Sequence, residues 1–216
     1  MPNSSRMTSE QRRRAILKAA VRLFAERGFR GTTTRALAKA VGVSEPVLYE
    51  HFRSKRDLYA AMSEFKSREG TARGVTLIEP YARARDDRGV FIGVGEIVLR
   101  AYTKDQAYSR LLLSVSLEDR DLGRLFHERQ RPGAEMLASY IALRSEEGAF
   151  RPVDSRLAAR VFLGMVTYHG MLSMLYRDDF VRGKPREIVE GMVDIFLQGI
   201  SIKVNAKTRA HTRGTR

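Results

Sequence analysis

The chain has no cysteine and no tryptophan among its 216 residues. Disulfides and thiolate metal sites are therefore excluded, and nothing in it asks for an oxidising compartment. Histidine occurs only at positions 51, 127, 169 and 211, which is too sparse for a multi-histidine metal site. No glycine-rich phosphate loop, no nucleophile elbow and no paired metal ligands are found, so neither an enzyme nor a cofactor is expected. Asp178-Asp179 reads as a solvated loop pair. The opening stretch MPNSSRMTSEQRRR has no apolar core of the signal-peptide kind, and no run approaches the roughly 20 apolar residues that span a bilayer. A soluble cytoplasmic protein is the expectation. Sustained two-residue alternation is missing, as is an Asn-Gly hairpin signal, which argues against a sheet.

What is present suffices for a core, with a hydrophobic fraction of 43%. The net charge of +14 becomes informative once it is located. Residues 1–60 hold 13 Lys/Arg against 5 Asp/Glu, residues 61–202 hold 21 against 20, and residues 203–216 hold 5 against none. The positive excess sits at the two ends of a nearly neutral middle. Such a division suits a polyanion-binding head on a neutral body. The basic end, KVNAKTRAHTRGTR, reads as disordered, as do residues 1–7.

Helical periodicity then fills the chain and predicts an all-α fold. Thr8 and Gln11 form a capping box for a helix from about Ser9 to Arg27, with Ile16, Ala20, Leu23 and Phe24 inward and Gly28 as the stop. Thr33 or Thr34 caps a second helix that faces inward with Leu37, Ala38 and Val41. Gly42 supplies the turn, because a left-handed backbone costs little only for glycine. Ser44 caps a third helix with Pro46 in its first turn, where the missing N–H costs nothing. Leu48 and Phe52 face the core, and Ser54 opens a fourth helix through Leu58, Ala61, Met62 and Phe65. Breaks at Gly70–Gly74, Arg85–Gly89, Arg131–Gly133 and Glu146–Asp154 divide the rest of the chain into helices near 75–84, 90–103, 105–117, 119–130, 133–146, 155–176 and 185–202, some of which can merge.

The second and third helices form a helix-turn-helix. Small Ala38 and Gly42 let the third helix approach the second, and Leu48 and Phe52 fill the gap behind. The third helix then presents an outward first turn of Ser44, Glu45, Pro46, Val47 and Tyr49, the part of a recognition helix that reaches base edges. Arg35 suits bidentate pairing with guanine. Thr33, Tyr49, His51 and Lys55 suit phosphate, since each can donate a hydrogen bond.

RAILKAAVRLFAERGFRGTTTRALAKAVGVSEPVLYEHFRSKRDLYAAM resembles the N-terminal domain of the tetracycline-repressor (TetR) family of bacterial transcription regulators. The likeness covers residues 9–62 and rests on the combination AxxxGVSxxxLYxHFxSKxxL. It implies a three-helix DNA-binding domain followed by a helical ligand-binding and dimerisation domain at about residues 70–202. It further implies a homodimer that leaves a palindromic operator on double-stranded DNA when a small apolar or amphipathic effector binds, with repression expected over activation. Thr33, Thr34, Arg35, Ser44, Glu45, Pro46, Val47, Tyr49, His51 and Lys55 match the DNA-contacting positions. Glu50 departs from the pattern by standing where a neutral residue is usual, and Glu45 is a second acid. Phosphate repels an acid, but glutamate can accept from cytosine N4. Both acids argue against a sequence-blind architectural binder.

For the body, two stripes stand out. Leu157, Val161 and Gly164 on one helix, with Ile188, Met192, Ile195 and Phe196 on another, fit a four-helix interface between two copies, the alternative being ordinary core. Phe91, Tyr102, Tyr108, Leu112, Phe126, Phe162, Met165, Tyr168 and His169 are candidate pocket linings. Methionine and aromatic side chains adapt to apolar ligands, although the same residues at helical spacing also make plain core.

Overall fold

A computed structural model describes residues 7–201. The expectations for residues 1–7 and 203–216 fall outside the described residues, apart from Met7. Nine helices occur within them: α1 (Ser9–Gly31), α2 (Thr34–Val41), α3 (Glu45–His51), α4 (Lys55–Arg83), α5 (Asp87–Thr103), α6 (Gln106–Glu118), α7 (Arg120–Glu146), α8 (Ser155–Tyr176) and α9 (Pro185–Ile200). The only extended pairing among the described residues is an isolated antiparallel bridge between Phe150 and Ser201. The all-α expectation holds.

Local signals explain most helix ends. Thr8 accepts from the Gln11 amide at 3.2 Å while the Gln11 side chain accepts from the Thr8 amide at 2.8 Å. The expected stop at Gly28 is a kink instead. Gly28 takes φ 72° and one further turn follows to Gly31. Thr32, fully buried, holds that kink by donating toward the Gly28 carbonyl at 2.8 Å and the Leu23 carbonyl at 3.1 Å.

Two expected breaks are absent. Helix α4 continues through Gly70 and Gly74, so the separate helix near 75–84 is its second half. Helix α7 likewise runs through Pro132 and joins the two segments expected on either side. Glycine costs a helix roughly 1 kcal/mol and proline about 3 kcal/mol. Packing offsets these costs, because both helices are held along their length. Gly74 is buried, and a side chain there would meet Ile97 of α5.

Two apolar clusters organise the molecule. The first joins Ile16 and Phe24 of α1, Leu37 and Leu48 of the helix-turn-helix, and Leu58, Tyr59 and Met62 of α4 to Leu111, Leu112 and Val115 of α6 and Leu122 of α7. The second, farther along the chain, centres on Phe91, Phe150, Phe162 and Phe196 with Ile141, Val189 and Val193. Phe91 meets Phe162 edge to face at 4.9 Å between centroids and Phe196 at 5.1 Å. Edge-to-face aromatic pairs add about 1 kcal/mol beyond burial. No helix among the described residues is long and apolar enough to cross a membrane.

Glycines at two helix positions should respond oppositely to alanine. At Gly170 of α8 a Cβ would lie 2.7–2.9 Å from the Cδ2, Cγ and Cβ of Tyr102. Gly170→Ala should therefore destabilise by about 1–3 kcal/mol. Gly70 has open space around it, so Gly70→Ala should stabilise by roughly 0.5–1 kcal/mol. Chemical denaturation of the two variants checks both signs.

Candidate nucleic-acid interface

The turn between α2 and α3 is built as the spacing predicts. The Thr33 hydroxyl accepts from the Ala36 amide at 3.1 Å and starts α2. Gly42 closes it in the left-handed region (φ 72°, ψ 33°), donating to the Lys39 carbonyl at 3.2 Å while Val43 donates to Ala38 at 3.0 Å. Ala38, Leu48 and Phe52 are buried beneath the turn. Ser44 occupies the N-cap position of α3, but its hydroxyl makes no capping bond and stays exposed.

The first turn of α3 faces out. Ser44 and Pro46 are exposed, Glu45 and Val47 are half-buried, and Tyr49 is 47% exposed. Arg35 on α2 and Thr33 at its N-cap are exposed. Arg35 forms no ion pair among the described residues. Thr34 donates to the Glu45 carboxylate at 2.8 Å, and the Tyr49 hydroxyl lies 3.5 Å from the Thr34 oxygen. These side chains form one open surface.

Lys55 and His51 sit differently from what phosphate contact would ask. The Lys55 ammonium turns inward, donating to the Phe29 carbonyl at 2.7 Å and the Thr32 carbonyl at 3.1 Å, 4.4 Å above the Phe29 ring. Burial lowers its pKa. Two of its three donors thus brace the end of α1. His51 is half-buried, and its Nε2 is buried without a partner. Arg13 of α1 stacks 4.3 Å over Phe52 and donates to the His51 carbonyl at 2.7 Å. It clamps the end of α3. No periodicity distinguishes Arg13 from Arg12 or Arg14, so the sequence held no sign of this role.

In the body the nine candidate pocket residues do not line one cavity. Tyr108, Leu112 and Phe126 pack in the first cluster, while Phe91, Phe162 and Met165 pack in the second. Tyr102 lies against Gly170, His169 is half-buried, and Tyr168 is 60% exposed. The physical reason is that aromatic side chains at helical spacing filled two separate cores. The α8–α9 stripe is different. Leu157, Val161 and Ile195 are 58%, 48% and 71% exposed, and Gly164 is exposed. Ile188 and Met192 are half-buried, whereas Phe196 points into the protomer's own core. An open groove of about 510 Å³ lies between Leu157, Val161 and Met165 of α8 and Ile195, Phe196 and Gly199 of α9.

The molecule can also be set beside known proteins. Residues 16–62 match the model for bacterial regulatory proteins of the tetR family, and residues 91–199 match the C-terminal domain of AefR-like transcriptional repressors. These are regulatory proteins, not enzymes. An uncharacterized HTH-type transcriptional regulator of Bacillus subtilis is 24% identical over 191 residues, covering 86% of this chain and 95% of that protein. A chain from Mesorhizobium loti, solved as a TetR-family transcriptional regulator, shares the fold with TM-score 0.77 at 20% identity, covering 91% of this chain and 100% of its own. The regulator AibR, solved in complex with isovaleryl coenzyme A and operator DNA, aligns with TM-score 0.58 at 23% identity over 85% of this chain and 97% of its own.

The inward Lys55 predicts a stability phenotype. Lys55→Met leaves the Phe29 and Thr32 carbonyls without their donor and should cost about 1–3 kcal/mol. Arg35→Ala, at an exposed and unpaired position, should leave the thermal midpoint unchanged. Melting followed by circular dichroism separates the two.

Proposed function

Because this chain belongs to the tetR family of bacterial regulatory proteins, we propose that it is a ligand-responsive transcriptional repressor that binds a palindromic operator as a homodimer in the cytoplasm. The observation that carries the reading is the outward first turn of α3, with Arg35 unpaired beside it on a head that holds most of the chain's basic excess. Residues 9–62 read DNA in this proposal, and residues 70–202 bind the effector and dimerise. Arg35, Ser44, Glu45, Pro46, Val47 and Tyr49 face base edges and phosphates directly, and Thr33 adds a helix start to the phosphate contacts. Thr34, His51 and Lys55 support that surface from behind. The likeness of residues 91–199 to AefR-like repressors favours repression over activation.

The homodimer reading rests on the exposed α8–α9 stripe. Leu157, Val161 and Ile195 together make an apolar face of a kind that seldom stays in water. Gly164, Gly191 and Gly199 lie on α8 and α9 with open space where a side chain would be. Each costs its helix roughly 1 kcal/mol relative to alanine, and close approach by a partner's helices gives that cost a purpose. Two copies related by a two-fold axis would carry two reading heads, as a palindrome asks.

The switch follows from α4. Its first turns pack in the head cluster through Leu58, Tyr59 and Met62, and its later turns meet α5 at Gly74. A small apolar or amphipathic effector that repacks the body would shift α4 and alter the spacing of the heads. AibR, solved with isovaleryl coenzyme A and operator DNA, is a protein of similar fold that binds both kinds of molecule. An effector works only through its different affinity for the two arrangements.

The experiment that tests this reading is selection of bound sites from random duplex DNA. The expected result is an inverted repeat bound at least about 1,000-fold more tightly than random DNA at physiological salt. Equal affinity for both would overturn it. Paired Leu157→Asp and Ile195→Asp substitutions should give a monomer by light scattering. Operator affinity should fall at least about 100-fold, because one half-site contact is lost. A dimer of unchanged affinity would sink the interface assignment.

A further inference from the structure

The Thr34–Glu45–Tyr49 group has a direction. A carboxylate only accepts, so the single Thr34 proton is committed to Glu45, at 2.8 Å. The Thr34 oxygen can then accept from Tyr49, whose hydroxyl lies at 3.5 Å. The chain of donors runs from Tyr49 through Thr34 to Glu45, and it links α2 to the first turn of α3. Thr34 therefore has no proton left for a phosphate.

We infer that Thr34 sets base specificity by holding Glu45 in place to select a cytosine in each half-site. This rests on the DNA-reading function proposed above and names one base within it. Thr34 occupies one lone pair of Oε2, which leaves Oε1 open to a further donor. Two major-groove donors exist, cytosine N4 and adenine N6. Beside adenine N6 lies N7, an acceptor that repels the second carboxylate oxygen. On cytosine's own edge N4 is flanked by a C–H and not by an acceptor. Guanine O6 and thymine O4 are acceptors and repel the group outright. The tether also keeps Glu45 from swinging onto Arg35, which forms no ion pair among the described residues. Holding the side chain before contact removes the ordering cost that a free glutamate would meet on binding.

The test is selection of bound duplexes by the full chain and three variants, Glu45→Gln, Thr34→Val and Thr34→Ser. Melting curves accompany each to show that the head stays folded. Wild type should enrich cytosine at one position per half-site by about tenfold over the other bases. Glu45→Gln should move that position to adenine, because an amide both accepts from N6 and donates to N7. Thr34→Val should lower the cytosine enrichment roughly threefold while leaving other positions alone, and Thr34→Ser should restore it. Identical sites for wild type and Glu45→Gln would overturn the inference and leave DNA reading intact. Unchanged enrichment in Thr34→Val would overturn the positioning role of Thr34. Selection of no sequence by wild type would overturn the DNA-reading function itself, and this inference with it.

Discussion

One apolar core holds the reading head to the body, and the rest of the arrangement depends on it. Leu111, Leu112, Val115 and Leu122 come from α6 and α7, yet they bury against Ile16, Phe24, Tyr59 and Met62 of the head. Each such side chain contributes on the order of 2 kcal/mol when removed from water. Ion pairs follow the same seam. Arg56 meets Asp119 and Asp121, Arg30 meets Glu118 at 3.1 Å, and Arg129 meets Glu64 at 2.9 Å. Their guanidinium groups are 36–82% exposed, so each contributes only about 0–1 kcal/mol. Packing therefore fixes the head and the charges orient it. A close-packed seam moves between discrete arrangements rather than bending smoothly. Any displacement of α6 or α7 must therefore be answered by α1 and α4.

The same seam contains its least satisfied polar groups. The Ser63 hydroxyl and the Tyr108 hydroxyl are buried without a hydrogen-bond partner, although Ser63 lies close to both Tyr108 and Tyr59. Burial pushes the Tyr59 phenol up to about 12 and Tyr108 further up. An unpartnered buried hydroxyl costs about 1–3 kcal/mol. The contact between α4 and α6 is therefore well packed in its apolar part and poorly satisfied in its polar part.

The reading surface was legible in the sequence because its signals act within one helical turn. Thr33 caps its own helix, Gly42 turns the chain where it stands, and Leu48 and Phe52 lie four residues apart on one face. Other features depend on residues far away in the chain. Lys55 finds the Phe29 carbonyl 26 positions earlier, and Arg56 finds Asp119 63 positions later. A charge in a sequence announces that it is soluble in water, not which way it turns. The missed helix continuity has the same origin. Gly70, Gly74 and Pro132 are local breakers, yet the helices run through them, and at Gly74 the contact with Ile97 of α5 is one that local reasoning cannot see. The pocket candidates fall into two groups because Phe91 and Leu112 look alike as helical apolar residues, while the folded chain sends them to different cores.

Charge placement gives the reader its character. In the body, several arginines pair with acids: Arg88 with Asp194, Arg144 with Asp87, Arg156 with Glu135 and Arg186 with Glu190. In the head, Lys18, Arg22, Arg35 and Lys39 form no ion pair among the described residues, and Arg14, Arg30 and Arg56 pair with acids that lie outside residues 1–60. With 13 Lys/Arg against 5 Asp/Glu in residues 1–60 and 21 against 20 in residues 61–202, the head carries a positive excess that the body lacks, and its field reaches about 8 Å at physiological salt. Glu45 and Glu50 subtract from that field at the point of contact. A protein built only to grip phosphate would gain from losing both. If α3 meets DNA as proposed, both acids lower affinity for every sequence alike, and a base-edge donor is what can recover the loss at Glu45. In the proposed reading, the acids shift the balance of the head from holding DNA toward choosing it.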